Sequence, residues 1–160
     1  MITKIISSDQ NILNMVETLN QSNQYRVITK YTKPEFYNFS TDVPKKIGVF
    51  LDIESTGLSY TEDKLIELGM VKFEYSADGY IFRILEEFNG YQDPGRNISS
   101  FITGLTGISD DMVKGQNIDE GAVSKYLEDV DLIVAHNAKF DRSFFETTFP
   151  TIKPKAWACS

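Results

Sequence analysis

The chain has 160 residues, 41% of them hydrophobic and 24% charged, with one cysteine, one histidine and a formal charge of −7. That length suits one domain with a core of its own; single Cys159 and His136 exclude an internal disulfide and the four-ligand Cys/His structural zinc sites. The acidic balance argues against a protein that holds nucleic acid by bulk electrostatics, yet it suits an enzyme whose acids gather around divalent cations. No stretch of about 18 apolar residues predicts a membrane span. The opening MITKIISSDQN turns polar too early for a secretory signal, and the lone thiol fits a reducing compartment, the cytoplasm.

In chain order, residues 1–46 read as an N-terminal extension. Ser7-Ser8-Asp9 supplies capping residues for a helix bearing Ile12, Leu13, Val16 and Leu19 at helical spacing. Tyr25–Tyr31 reads as a short strand, and a connector with Pro34 and Pro44 follows. From Ile47 the pattern sharpens. Ile47–Ile53 is a predicted strand; Leu65–Tyr75 and Tyr80–Phe88 are two more, joined at Ser76-Ala-Asp-Gly79, a hairpin signal. Asn97–Leu105 and Asp110–Lys114 read as short helices. Asp119–Asp129 is a helix whose apolar face is Ala122, Val123, Tyr126 and Leu127. Leu132–Ala135 is a short buried strand, Phe140–Phe149 a helix, and Lys155–Ser160 the start of a last strand. Three strands followed by helix, strand, helix and strand predict an α/β domain with a mixed sheet.

The first strand carries Asp52 and Glu54 at its end, before Ser55-Thr-Gly57. Residues two apart on a strand share a side, about 6–7 Å apart at Cα. Two like charges so placed are unfavourable unless a cation lies between them, and hard carboxylate oxygens suit a divalent one. Taken alone, the pair reads more readily as solvated acids where a strand leaves the core, since the spacing is common. The second polar cluster, His136-Asn137 and then Asp141, again follows an apolar strand, Leu132–Ala135. Strand C-termini in open α/β sheets are where ligands bind. Each residue has a structural reading too: Asp141 suits a helix N-terminus, and His136 a backbone contact at the turn.

Together, Asp52-Ile-Glu54-Ser-Thr-Gly57 and His136-Asn137-Ala-Lys-Phe140-Asp141 resemble the first two motifs of the DEDD superfamily of 3′–5′ exonucleases, especially the DNA polymerase III epsilon-like proofreading group. Leu65-Ile66-Glu67-Leu68-Gly69 is similar to that group's second strand, and Gly104-Leu-Thr-Gly-Ile-Ser109 to its middle segment. The resemblance covers about residues 47–160 and does not reach 1–46. It implies a ribonuclease H-like fold with a five-stranded mixed sheet flanked by helices. It also implies two divalent ions, Mg or Mn, held by four carboxylates, of which Asp52, Glu54 and Asp141 are three. The implied reaction is hydrolysis of phosphodiester bonds at the 3′ end of single-stranded DNA. Two such ions activate the attacking water and stabilise the leaving oxygen.

The same resemblance implies substrate contacts from Thr56, Gly57, Leu58, His136, Asn137, Phe140 and Phe144. For Thr56 and Asn137, turn capping is an equal alternative; for Phe140 and Phe144, core packing is the alternative, as their spacing suits a buried helix face. Lys139 and Arg142 flank the site, to meet phosphates or to form a solvated helix surface. One departure stands out. The family's third motif, a His or Tyr with the fourth metal-binding Asp close behind, has no counterpart after Asp141. The domain is therefore expected to be shortened at its C-terminal side and impaired in activity, with an open sheet face inviting self-association. Two alternatives remain: a non-catalytic docking subunit of a polymerase complex, and an RNA-directed exonuclease of the same superfamily.

Overall fold

The computed structural model describes residues 9–22, 24–28, 30–39 and 42–160, and the chain divides into two compact units, Met1–Lys33 and Pro34–Ser160. In the first, α1 (Gln10–Gln21) begins where Asp9 accepts a hydrogen bond from the Asn11 N–H. This is an N-cap that satisfies one of the helix's orphan donors; Ser7 and Ser8 lie outside the described residues. None of the helix's residues is buried, and Ile12, Met15 and Leu19 are exposed. The strand expected over Tyr25–Tyr31 is not formed among the described residues of that segment. Its β-favouring composition has no sheet ladder to join, and propensity without a partner does not make a strand.

The second unit is built on a five-stranded sheet in the order β3-β2-β1-β4-β5. β1 (Lys45–Ser55), β2 (Leu65–Ser76) and β3 (Ile81–Tyr91) form an antiparallel meander. β4 (Leu132–Ala135) and β5 (Ala156–Cys159) add on parallel to β1. The hairpin between β2 and β3 turns at Gly79, whose φ of 89° admits glycine at little cost. Part of the connector belongs to this unit as well: the Tyr37 N–H donates to Phe82 O and Asn38 Nδ2 to Ile81 O, both at 2.7 Å.

Among the described residues, three of this unit's four helices are shorter than the periodicity suggests, and the last is one residue longer. α2 (Ser100–Thr106) starts after Ser99, whose hydroxyl accepts the Ile102 N–H, and stops at left-handed Gly107. α3 (Asp110–Val113) is a single turn, and α4 (Glu120–Tyr126) is capped by Asp119. α5 (Ala138–Thr148) begins two residues earlier than expected, straight out of the β4 turn.

Alternation along β1 sorts its residues to two faces. Val49, Leu51 and Ile53 are buried under Val123 and Leu127 of the α4 region and Phe144 and Phe145 of α5, with Ile133 of β4 beside them. Phe50, Asp52 and Glu54 point the other way, and Phe50 stays 40% exposed. The antiparallel register sets Asp52 opposite Gly69 and Glu54 opposite Glu67 on that second face. No helix among the described residues is long and apolar enough to cross a membrane.

Candidate active site

β1 runs on to Ser55, so Asp52 and Glu54 stand within the strand rather than beyond it. The ladder supports their spacing up to the register shift after Glu54. Asp141 reaches the same end of the sheet from the first turn of α5. Its Oδ1 accepts the Ile53 N–H at 3.1 Å, which fastens the helix to the strand residue between the two acids, and Asp141 is only 3% exposed. The predicted triad is thus gathered by a backbone donor on one element and a helix start on another.

The electrostatics show the proximity. Burial first, and then the charges of Asp52, Glu67 and Asp141, raise the Glu54 carboxyl above its ordinary range. Asp141 is pushed up to about 6, chiefly by burial, with Asp52 adding to the shift while backbone N–H groups and His136 oppose it. Carboxylates that raise one another in this way are short of positive charge. All are hard oxygen donors, the chemistry that Mg or Mn prefers. Among the described residues the side chains do not close into a three-ligand cage as they stand; like charges relax apart. The donor set fits divalent ions in kind.

Glu67 is an acid of the site that strand reading placed but did not assign. It lies directly across from Glu54 in the ladder, and Asn89 Nδ2 donates to it at 2.8 Å. The signal was present, since Glu67 is the one acid in the apolar run from Leu65 to Val71. Asp63 and Arg96 were also missed. Arg96 arrives from a segment 40 residues beyond Thr56, with no local pattern to announce it.

The remaining predicted residues fall into three groups. His136 is exposed, and with Asp52, Phe50, Val71 and Val134 it lines an open trough of about 640 Å³ on the second sheet face. Leu58, 86% exposed, shares a depression of about 230 Å³ with Tyr60, Asn137, Lys139 and half-buried Phe140. Asn137 is the turn itself: its φ of 55° makes it the one described non-glycine residue in the left-handed region, and its side chain caps nothing. Phe144 is 2% exposed, its ring tilted against that of Phe140 at 4.9 Å, so it packs in the core beneath the site and forms part of the floor of the same depression. Thr56 turns its hydroxyl into the loop, onto Asp63, Lys64 and Arg96, as a capping residue does. Of the flanking cations, Arg142 is paired with Glu146 along α5.

Comparison with known proteins places this geometry. An exonuclease family profile matches residues 49–158, more than half of the chain. The PolC-type DNA polymerase III of Caldanaerobacter subterraneus subsp. tengcongensis is 43% identical over 101 residues, which is 62% of this chain and 7% of that protein. That of Pediococcus pentosaceus is 37% identical over 120 residues, 72% of this chain and 8% of that protein. The chain therefore spans less than a tenth of those curated relatives. Among solved structures, an E. coli exonuclease I complex with single-stranded DNA superimposes with a TM-score of 0.53 at 14% identity, covering 71% of this chain and 28% of that one. That likeness fixes the ribonuclease H-like fold, with its mixed five-stranded sheet flanked by helices. The chain belongs to the exonuclease family, among the DEDD 3′–5′ exonucleases of proofreading type.

Proposed function

We propose that residues 47–160 carry the metal-binding face of a 3′–5′ exonuclease that removes nucleotides from the 3′ end of single-stranded DNA. The observation that carries this is the convergence of Asp52, Glu54 and Asp141 from β1 and α5, with Glu54 and Asp141 raised by burial and by their neighbours' charge. These three would hold divalent Mg or Mn ions, which supply a polarised phosphate and an activated water when bound. The chain's own groups do the rest. Asp141 keeps one oxygen on the Ile53 N–H, so its carboxylate plane is fixed relative to β1. The exposed Leu58 and the half-buried Phe140 offer apolar surface for a terminal base, and exposed His136 and Asn137 stand at the strand-to-helix turn for the sugar–phosphate. RNA would be distinguished from DNA at the 2′-hydroxyl.

After Asp141 the only acid in these 160 residues is Glu146, already paired with Arg142, and no His or Tyr occurs. A general base poised near neutral pH is therefore missing from this stretch, and slow hydrolysis is expected from it. The reading also gives the chain a partner class, a DNA polymerase that hands over a frayed 3′ end. The test is release of labelled nucleoside monophosphate from 3′-labelled single-stranded DNA in Mn²⁺ or Mg²⁺, comparing the chain with Asp52→Ala. Slow, metal-dependent release that disappears in the variant supports the reading. Release that persists in Asp52→Ala defeats it, as does a folded chain that neither cleaves nor binds the strand with any divalent ion.

A further inference from the structure

One network beside the carboxylates has no part in the mechanism above. Thr56 Oγ1 makes three hydrogen bonds: it donates to Asp63 Oδ1 at 3.2 Å and accepts from the Lys64 N–H at 3.0 Å and from Arg96 Nη2 at 2.6 Å. The same Nη2 reaches Asp63 Oδ1 at 2.7 Å, and Asp63 Oδ2 accepts the Ser59 N–H at 3.0 Å. The Thr56 N–H is spent on Lys64 O at 2.9 Å. Both donors of Thr56 are therefore consumed inside the protein, so it can give neither to a phosphate without dismantling the network. The N–H groups of Gly57 and Leu58, next along the turn, donate to none of the described residues. Asp63 also fills the space beside Gly57: a Cβ there would stand 2.4 Å from Asp63 Oδ2.

We propose that Asp63 and Arg96 are positioning residues of the exonuclease, acting through Thr56 to hold the 56–59 turn so that the Gly57 and Leu58 N–H groups and the Leu58 side chain meet the 3′-terminal nucleotide. The inference rests on the exonuclease reading. Its physical basis is preorganisation. Ordering a free turn costs conformational entropy, and a turn already ordered spares the bound complex that cost. Charge-assisted bonds are the strong kind for the purpose. The Ser59 N–H, Thr56 and Arg96 all hold the Asp63 carboxyl below its usual range, so the acid is ionised throughout the working pH range. Arg96, 46% exposed at the side chain, loses little hydration in making the pair.

The experiment measures the Kd of a 5′-labelled oligodeoxythymidine in Ca²⁺, and KM and kcat for its cleavage in Mn²⁺, for the parent chain and five variants, each with its Tm. Arg96→Ala and Asp63→Ala are each expected to weaken binding about tenfold, with the Arg96→Ala/Asp63→Ala double variant no weaker than either alone, because the two residues act as one unit. Arg96→Lys keeps a charge and a donor and should restore most of the affinity. Thr56→Val, which removes the hub hydroxyl at constant shape, should match the alanine variants. A purely structural pair would lower Tm and leave the Kd of the folded fraction unchanged. Unchanged Kd in folded Arg96→Ala and Asp63→Ala, against a parent that binds, overturns the inference alone. A parent that neither binds nor cleaves overturns the exonuclease reading first and the inference with it.

Discussion

The Ile53 N–H donates to Asp141 Oδ1 across 3.1 Å, so the backbone between two strand acids is bonded to the acid of a helix 88 residues further on. The burial that goes with this contact sets how the site responds to pH. Burial pushes Asp141 up to about 6 from 3.8, so the folded protein holds that proton more tightly than the unfolded chain does. Its contribution to stability is fully present below the unfolded value and is lost as pH rises through about 6. At pH 8 the ionised carboxylate should cost on the order of 2 kcal/mol. Asp141→Asn, which keeps an oxygen for Ile53, is expected to melt higher than the parent at pH 8, by a smaller margin at pH 5, and close to it only below about pH 4. Mn²⁺ should raise the Tm of the parent at pH 8 and leave the variant unmoved, since only a ligand bound to the folded state stabilises it. Differential scanning fluorimetry across that pH range checks both.

Glu54 faces Glu67 across the β1–β2 ladder. Like charges directly opposite on a sheet repel, by roughly 0.2–1 kcal/mol. Glu67→Gln should therefore stabilise the chain by about that amount and bring the Glu54 carboxyl back toward its ordinary range, the burial contribution remaining. Carboxyl-resonance titration by NMR would read the shift, and an unchanged or higher Glu54 value would show that the two acids do not interact.

Gly57 has no room for a side chain on the side where Asp63 sits. Gly57→Ala is expected to expel the Asp63 carboxylate, break its bonds to Thr56 and Ser59, and cost about 1–3 kcal/mol. The loss should show in urea denaturation as a lower midpoint at unchanged slope. Gly57→Ala combined with Asp63→Ala, which removes the colliding group, should recover part of the stability.

Asn137 separates a backbone role from a side-chain role. Because it sits at φ 55° without capping α5, Asn137→Gly should hold the unfolding free energy within about 0.5 kcal/mol of the parent, whereas Asn137→Val should lose about 1–2 kcal/mol. If the amide serves the substrate, as proposed, Asn137→Gly will nonetheless weaken oligonucleotide binding. Equal binding by the glycine variant would assign Asn137 to the turn alone.

The legible parts of this molecule were those written in local pattern. Short apolar runs bounded by polar and turn residues gave all five strands from Lys45 onward, and the hairpin at Gly79 was announced by its turn residues. The Asp52–Glu54 spacing needed only the strand period to be read as one face. The strand period suggested for Tyr25–Tyr31 failed because a strand also needs a neighbour. Helix ends failed by one to three residues because Ser99 and Asp119 cap from inside the expected helices. Two features of the site lay beyond local pattern. The pairing of Glu67 with Glu54 follows from strand register, and Arg96 meets Thr56 only after the β3–α2 segment has folded back across the sheet end.

The parallel placement of β4 beside β1 has a consequence for when the three acids come together. The meander β1–β2–β3 closes through neighbouring hairpins, but β4 must cross 84 residues to pair Gly48 with Leu132. Contacts of such long sequence separation form late and slowly, after the loop-closure entropy has been met. Until they form, Asp52 and Glu54 lack Asp141, and the acids of β1 are no more reactive than those of an open hairpin. The convergence of the three acids is thereby deferred until β4 and α5 have docked, so a nascent or partly unfolded chain does not hold them together.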